Sequence, residues 1–205
     1  MRVELTDLAQ NGAMEYAVIR LQVQRFPLKP GTAPHRWYDP SPLAEVVNLD
    51  VDDDGGIGVT EGGEHIIDVH NRTHPHTRDA KGRGGISVMG TGDYVALRDR
   101  YGPHLLDGIA GESVLVDAPD GLAGRELPET IVIHAAAGTV ELQGFRVAEP
   151  CVEFTRFCLR REPDEPVDQQ IKDHLALLDG GARGYKARVT VPGTIRIGDL
   201  LAVPG

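Results

Sequence analysis

The residues with the clearest chemical potential in this chain are Cys151 and the charged side chains around it. The segment before it runs Gly144-Phe145-Arg146-Val147-Ala148-Glu149-Pro150, and the alternation of its apolar residues predicts a strand. Pro150 cannot donate a hydrogen bond to a sheet, so the strand should end or bulge there. Cys151 is therefore expected at a strand end, a position where reactive groups are held on a rigid support.

The reactivity of Cys151 depends on nearby charge, because the thiolate is the nucleophile and the metal ligand. Four arginines close in sequence could favour the thiolate: Arg146, Arg156, Arg160 and Arg161. On an unbroken strand, Glu149 and Glu153 would share the face of Cys151 and oppose its ionisation. We expect Pro150 to turn the cysteine away from them. A small buried apolar cysteine remains the alternative interpretation.

A second candidate is the basic stretch from His70 to Gly85. Within it, four cationic side chains stand against Asp79 and give a local charge of +3, in a chain whose net charge is −10; they are Arg72, Arg78, Lys81 and Arg83. Such a reversal of sign would steer an anionic ligand, and exposed backbone N–H groups can bind one. We predict that this segment faces the cavity of Cys151 and binds a cofactor phosphate. A solvated loop is the alternative.

Metal-binding patterns are weaker. His70, His74 and His76 could ligate the zinc or manganese ion of a hydrolase, but no carboxylate or spacing fixes such a site. The run Asp52–Asp54 lacks the spaced ligands and closing glutamate of a calcium loop, so a solvated turn is predicted. The two cysteines match no zinc pattern.

Length, composition and charge limit the classes of protein to which this chain can belong. A chain of 205 residues is expected to form a single domain over residues 1–205, with a core at roughly 21–203 and an N-terminal strand extension at 1–20. Its acidic charge disfavours a nucleic-acid partner. We find no signal-peptide pattern and no apolar run near the roughly 20 residues of a membrane span, so the expectation is a cytoplasmic protein with no membrane partner.

The remaining sequence is typical of a mostly β protein. A first strand is predicted at Met1–Leu8, with a turn at Asn11-Gly12, and the longest strand at Met14–Phe26. Further strands are predicted at 43–51, 86–89, 114–116, 131–134, 139–142, 145–148, 185–191 and 194–203. Helices are predicted from Asp93 to Gly102 and from Asp164 to Gly181. So many strands favour a closed or partly closed β-barrel with inserted helices, because closure removes strand edges.

Short motifs then follow one another in the order found in the MOSC family, named for the C-terminal domain of molybdenum-cofactor sulfurase. The motifs are Gly108-x-x-Gly111-Glu112, Pro150-Cys151, Gly184-Tyr185-x-Ala187-x-Val189 and Gly193-Thr194-Ile195-Arg196-Ile197-Gly198-Asp199. Looser similarity extends to Asp68-x-His70, Arg83-Gly84-Gly85-Ile86-Ser87 and Phe26-Pro27-Leu28-Lys29. Each motif alone is weak, but in order they make a specific signal. The chain therefore resembles the MOSC family over most of its length.

The resemblance implies a β-barrel of the pyruvate-kinase insert type and a role with the molybdenum cofactor or with sulfur. In the family, the cysteine after the proline is a proposed sulfur carrier or molybdenum ligand, a position that Cys151 holds here. Glu112 and His70 join the cationic residues as candidate cofactor-binding residues. The chain departs from the family at Ala148, where an arginine is common, and at Ser113, where asparagine is common.

Two function classes remain. The first is a molybdenum-cofactor-dependent reductase or a sulfur-transfer component acting through Cys151, with a redox or sulfur-donor protein as partner. The resemblance implies no pyridoxal-phosphate site, because the domain that carries it in full sulfurases has no room here, so another protein must load any sulfur. The second class is a binding module that holds an anionic small molecule without covalent chemistry.

Overall fold

The computed structural model describes residues 14–203; the predicted strand Met1–Leu8 and the Asn11-Gly12 turn lie outside them. In chain order the strands are β1 (Met14–Gln24), β2 (Gly31–Thr32), β3 (His35–Arg36), β4 (Leu43–Glu45), β5 (Asn48–Asp52), β6 (Gly55–Val59), β7 (His65–Ile67), β8 (Ile86–Gly90), β9 (Val114–Val116), β10 (Thr130–Ala135), β11 (Gly138–Val147), β12 (Tyr185–Val191), β13 (Gly193–Arg196) and β14 (Leu200–Val203). The helices are α1 (Thr91–Tyr101), α2 (Val152–Leu159) and α3 (Gln169–Leu177).

Seven of the strands close into a barrel. Their order is β14-β10-β11-β12-β8-β9-β1, and β1 pairs back onto β14. Neighbouring strands are antiparallel except β8 and β9, which are parallel and are joined by a crossover that contains α1, as parallel strands require. Closure gives each of these strands two partners and removes free edges. The predicted β-barrel with inserted helices is confirmed.

Strand β1 connects the barrel to the rest of the fold. It is the longest strand, as predicted, and it pairs with β14 at its start, β9 in its middle and β4 at its end. Leu21 and Val23 pack into the apolar core, whereas Gln22 and Gln24 are buried polar side chains. These two glutamines reach the loop that precedes β9, so β1 fixes that loop against the barrel.

Two apolar clusters hold the molecule together. The first fills the barrel with branched side chains, among them Val18, Val88, Val114, Ile133 and Leu142. The second lies where α1 and α2 pack, and includes Tyr94, Leu97, Phe154 and Cys158. Because Phe154 and Cys158 are one helical turn apart and both fully buried, they anchor α2 to the domain.

The helices differ in part from the sequence-based predictions. Helix α1 ends before Gly102 as predicted, but Asp93 lies inside its first turn, where its carboxylate accepts hydrogen bonds from the N–H of Gly90 (2.9 Å) and of Leu122 (2.9 Å). Helix α3 begins later than predicted, because Asp168 rather than Asp164 accepts the N–H bond of Ile171 at its start. Helix α2 was not predicted at all.

Of the helices that the structure describes between residues 14 and 203, none combines the length and the apolar character needed to cross a membrane.

Candidate functional site

A pocket opens beside the first turn of α2, and we call it the cysteine pocket. Its walls come from the end of β1 and the residues after it (Gln24, Leu28), the loop after β7 (His70), the loop before β9 (Glu112) and the turn between β11 and α2 (Cys151). Its cavity has a volume of about 180 Å³. This is below the roughly 300–1,000 Å³ of most ligand pockets, so the cavity holds a small anion or one end of a larger ligand.

Cys151 stands at the N-terminus of α2, as its N-cap residue in an extended conformation. Its thiol is half-buried and faces the cysteine pocket. The strand predicted to carry it ends at Val147, and Pro150 lies in the turn between strand and helix, as its missing N–H requires. The unpaired N–H groups and the dipole at a helix N-terminus favour negative charge on such a sulfur.

The cation beside Cys151 is Arg183, which sequence analysis missed. Its Nη1 lies 3.7 Å from Cys151 Sγ. The guanidinium is fixed by bonds that it donates to the carbonyl of Glu149 (3.3 Å) and of Ala110 (3.1 Å), and it stacks 4.2 Å from the centroid of the Phe154 ring. Because Arg183 is 32 positions from Cys151, no local pattern in the sequence pointed to it.

The four arginines near Cys151 in sequence are engaged elsewhere or point away. Arg156 donates to the carbonyl of Glu165, Arg160 to His104 Nδ1, and Arg161 pairs with two carboxylates. Arg146 lies on β11 beside Lys186 of β12 and does not line the pocket. The expectation that one of these arginines activates the cysteine is therefore corrected.

The two glutamates near Cys151 also take different positions from those of an unbroken strand. Glu149 is exposed at the pocket wall, whereas Glu153 lies on α2 and faces a separate depression. The change from strand to helix after Pro150 breaks the alternation that would have put both carboxylates on the face of Cys151.

Four cationic side chains line the cysteine pocket, and we call them the cationic wall. It consists of Lys29, Arg78 and Lys186, together with Arg183. Burial lowers the pKa of Lys186, and the positive charges of Arg183 and Arg146 lower it further. An anion bound at this wall would relieve that repulsion between cations.

Only part of the predicted basic segment reaches the pocket. Arg78 and His70 line it, whereas Arg72, Lys81 and Arg83 are exposed and lie outside its walls. Arg72 pairs with Asp53 and Asp54 across the surface. The prediction that the whole segment faces the cavity is therefore corrected, since local charge along a chain does not fix the direction of each side chain.

His70 is oriented by a buried carboxylate. Its Nδ1 lies 3.0 Å from Asp68 Oδ1, which also accepts the His70 backbone N–H at 2.7 Å. The second Asp68 oxygen accepts the N–H of Gln24, so the carboxylate is fixed to β1. A carboxylate that binds one ring nitrogen leaves the other nitrogen for a ligand or a proton.

The other two histidines of the proposed metal triad lie apart from this arrangement. Nε2 of His74 bonds the carbonyl of Arg25, and the His76 ring packs near Phe26. Among residues 14–203, the only group of three possible metal ligands is the run Asp52–Asp54, at the predicted turn between β5 and β6. The hydrolase hypothesis has no support from the geometry of these histidines.

Glu112 is the second titratable group of the pocket. Tyr94 donates its hydroxyl hydrogen to Glu112 Oε2 at 2.7 Å, while Oε1 is buried and has no hydrogen-bond partner among residues 14–203. Burial raises the pKa of Glu112 from 4.5 to about 7, although the bond from Tyr94 lowers it. The carboxyl can therefore donate or accept a proton near neutral pH.

The loop that carries Glu112 is held tightly to β1. Gln22 donates to the carbonyls of Gly108 and Glu112, and Gln24 donates to that of Gly111, each at 2.7 Å. Gly111 has a φ of +85°, and a Cβ there would lie 2.7 Å from Leu28. Only glycine combines that backbone conformation with so close an approach, which explains its place in the Gly-x-x-Gly-Glu motif.

Comparisons with known proteins identify the fold but no family. No family model matches the chain, and no curated protein matches it. The crystal structure of the YuaD protein from Bacillus subtilis superposes with a TM-score of 0.59 at 18% sequence identity, covering 95% of this chain and 98% of that one. A crystal structure described as a hypothetical protein has a TM-score of 0.53 at 14% identity, over 93% of this chain and 69% of that one. At these identities the similarity concerns the fold alone.

Proposed function

We propose that this protein works on the molybdenum cofactor or carries sulfur through Cys151, the role that the MOSC resemblance implies. The observation that carries the proposal is the environment of that thiol. Cys151 lies at a helix N-terminus, 3.7 Å from Arg183, on the wall of a pocket with further cations. Both features stabilise a thiolate, which is the form needed by a nucleophile or a metal ligand.

The residues present fit a cofactor that has a phosphate and a metal-binding end. Lys29, Arg78 and Lys186 supply charge for the phosphate, and the Cys151 thiolate is a soft ligand suited to a transition metal. Arg183 and Ala148 both line the pocket, so Arg183 supplies a cation to it although Ala148 stands at the position where the family commonly has arginine. When bound, the cofactor would supply two-electron oxidation and reduction at molybdenum.

We assign proton transfer in the pocket to His70 and Glu112. Asp68 orients His70 through Nδ1, which leaves Nε2 to exchange a proton with the ligand. Among residues 14–203, the buried Oε1 of Glu112 has no hydrogen-bond partner, so this oxygen is the one that can carry the proton of the neutral carboxyl. Both side chains come from loops that are fixed to β1, so their positions are set before a ligand binds.

Sulfur carriage requires one exchange step. The Cys151 thiolate attacks the outer sulfur of a persulfide on a donor protein, a new S–S bond forms, and the donor's inner sulfur leaves as a thiolate. Sulfur moves with no net oxidation or reduction, and the leaving thiolate takes a proton from water. The positive charge of Arg183 stabilises the persulfide anion that forms on Cys151.

The experiment compares the wild-type protein with Cys151→Ser and Cys158→Ser after production in a host that makes the molybdenum cofactor. Bound molybdenum is measured by elemental analysis, and transferable sulfur by cyanide release after incubation with a persulfide donor. We expect either bound molybdenum or transferable sulfur in the wild type and in Cys158→Ser. Cys151→Ser should lose that signal. Neither signal in the wild type, or an equal signal in Cys151→Ser, contradicts the proposal.

A non-covalent binding module is the second candidate, and the cationic wall supports it independently of the thiol. Lys29, Arg78 and Lys186 can hold an anionic small molecule whether or not Cys151 reacts. Under this alternative, Cys151→Ser keeps full affinity for inorganic phosphate while Lys186→Met loses it. If phosphate binds with equal affinity to both variants and the wild type, the cationic wall is not an anion site.

A further inference from the structure

A second depression lies along α2 beyond its first residue, and we call it the tryptophan pocket. Its walls are formed by Trp37, Tyr38, Glu153, Arg156, Phe157 and Pro163, with Arg161 at its edge. Tyr38 is buried and packs edge-on against Phe154, so this wall is rigid. Trp37 remains 45% exposed. The pocket therefore combines a buried aromatic residue, Tyr38, with a partly exposed indole.

Arg156 is the unusual residue of this pocket. Its side chain is only 8% exposed, and Nη2 donates to the backbone carbonyl of Glu165. Within residues 14–203, its Nε has no hydrogen-bond acceptor, and no carboxylate lies within 4.0 Å of the guanidinium. A buried cation without an anionic partner is costly, and proteins ordinarily pair such charges. Arg156 is therefore the residue of this pocket best suited to bind an anion.

The other charges around the pocket define which anion fits. Arg161 is already neutralised by Glu165 and Asp168, at 2.5 and 2.7 Å. Glu153 lines the same pocket from α2 and adds a negative charge. A single free guanidinium beside a carboxylate suits a monoanion better than a phosphate dianion, which repels Glu153 more strongly.

The apolar walls define the rest of the ligand. Trp37 and Phe157 both line the pocket, and Phe157 packs against Tyr38 with ring centroids 5.2 Å apart. Aromatic walls prefer flat apolar groups, which stack on them or meet them edge-on. We propose that the tryptophan pocket binds a small organic acid with an aromatic body, the carboxylate on Arg156 and the ring on Trp37. Tyr38 is the one residue that lines both this site and the cysteine pocket, and the proposal does not depend on the function proposed for Cys151.

Trp37 serves as an intrinsic fluorescent probe, because it is the single tryptophan of the chain. Phenylpropionate is titrated into the wild-type protein while Trp37 fluorescence is recorded, and phenylpropionamide serves as the neutral ligand of matched shape. We expect saturable fluorescence change with the acid and about tenfold weaker binding of the amide, since a bond between charged groups contributes more than one to a neutral group. Equal affinity for acid and amide, or no saturable change, overturns the proposal.

Variants locate the carboxylate. Arg156→Gln should weaken binding of phenylpropionate about tenfold and bring it to the level of the amide. Arg160→Gln, at the exposed C-cap position that follows the same helix, should leave the affinity unchanged. Binding that persists in Arg156→Gln contradicts the assignment, and if that variant does not fold, the comparison of acid and amide on the wild type decides. If inorganic phosphate competes with phenylpropionate at similar concentration, the proposed preference for a monoanion is contradicted.

Discussion

Cys151 and Cys158 belong to the same short segment but lie in opposite environments. Cys151 is half-buried, beside the guanidinium of Arg183 and the open end of α2. Cys158 is 1% exposed within the apolar cluster under the helix. Burial raises the pKa of the Cys158 thiol to about 12, so this cysteine stays protonated at neutral pH and serves as an internal control.

The first prediction is that Cys151 alkylates faster than Cys158 at about pH 7, since the thiolate is the reacting form. Rates are measured residue by residue by mass spectrometry of digested protein after timed exposure to iodoacetamide. Cys151→Ser should change the free energy of unfolding by less than about 1 kcal/mol, because the thiol is only half-buried and the serine hydroxyl can still accept a hydrogen bond from Arg183. If Cys151 reacts only after denaturation, it is no carrier.

The second prediction isolates Arg183. A cation about 4 Å from the thiolate contributes up to about 4 kcal/mol at an effective dielectric of 20, and solvent at this half-exposed site screens part of it. Arg183→Met should therefore slow alkylation of Cys151 about tenfold or more. Arg188→Met, an exposed arginine on β12, should not change the rate. Equal rates in both variants contradict a role for Arg183.

The third prediction concerns the pH dependence of stability. The pKa of Glu112 is about 7 in the folded protein against 4.5 when unperturbed, so between these pH values the folded state binds the proton that the unfolded state has released. The free energy of unfolding therefore falls as pH rises through this window, by about 3 kcal/mol in total. Below it, both states are protonated and no loss occurs.

Glu112→Gln tests this slope, because the amide is neutral at every pH and its oxygen can still accept the Tyr94 hydroxyl. Urea unfolding should show similar stability of variant and wild type near about pH 4.5, and greater stability of the variant near about pH 8. A variant with the same pH slope as the wild type would show that Glu112 does not titrate in this window.

At the scale of elements, the strands were predictable where one face is buried and one is not. The period-two pattern located β1 and β12 within two residues of their bounds. The predicted strand at 194–203 is in fact two strands, β13 and β14, because Gly198 takes a φ of +90° between them. Strands separated by such a turn cannot be told from one strand by alternation alone.

The candidate site was only partly predictable. Cys151, Arg78, His70 and Glu112 were identified from the sequence and do line one pocket. Helix α2 was not predicted, although Phe154, Phe157 and Cys158 have helical spacing. The helix has only eight residues, too few for its helical period to be recognised after the alternating residues of the preceding strand. Arg183 and Lys186 could not be found, since only the pairing of β12 with β8 and β11 brings them to the cysteine.

The fourth prediction tests what holds α1 against the barrel. Asp93 accepts buried hydrogen bonds from the N–H groups of Gly90 and Leu122, and a part-buried one from that of Ala123. Asp93→Ala leaves these donors without a partner, at about 1–3 kcal/mol each where water cannot reach, so the loss should be about 3 kcal/mol or more. Asp99→Ala, on the exposed face of the same helix, should change the free energy of unfolding by less than about 0.5 kcal/mol. Similar losses in both variants contradict this role.

At the scale of the whole molecule, closure of the barrel and the distribution of charge act together. The loops that build the cysteine pocket come from strands that are distant in sequence, and the seven-strand closure fixes them relative to one another. The chain has a net charge of −10, yet Lys29, Arg78, Arg183 and Lys186 gather at this pocket. An anionic ligand that approaches is repelled at long range by the net negative charge and attracted inside the pocket by these four cations.

The short-range attraction should prevail, because the Debye length is about 10 Å at 0.1 M salt and screens the distant negative charges more than the adjacent cations. The last prediction therefore compares two alkylating reagents of similar size, the anion iodoacetate and neutral iodoacetamide, each normalised to its rate with glutathione. Cys151 should prefer iodoacetate, and the preference should shrink as salt rises from about 0.05 to about 0.5 M. Lys186→Met should reduce the preference, whereas Lys81→Met should not, since Lys81 lies outside the pocket. A preference for the neutral reagent at low salt would mean that the net charge of the molecule, and not the cationic wall, governs access to Cys151.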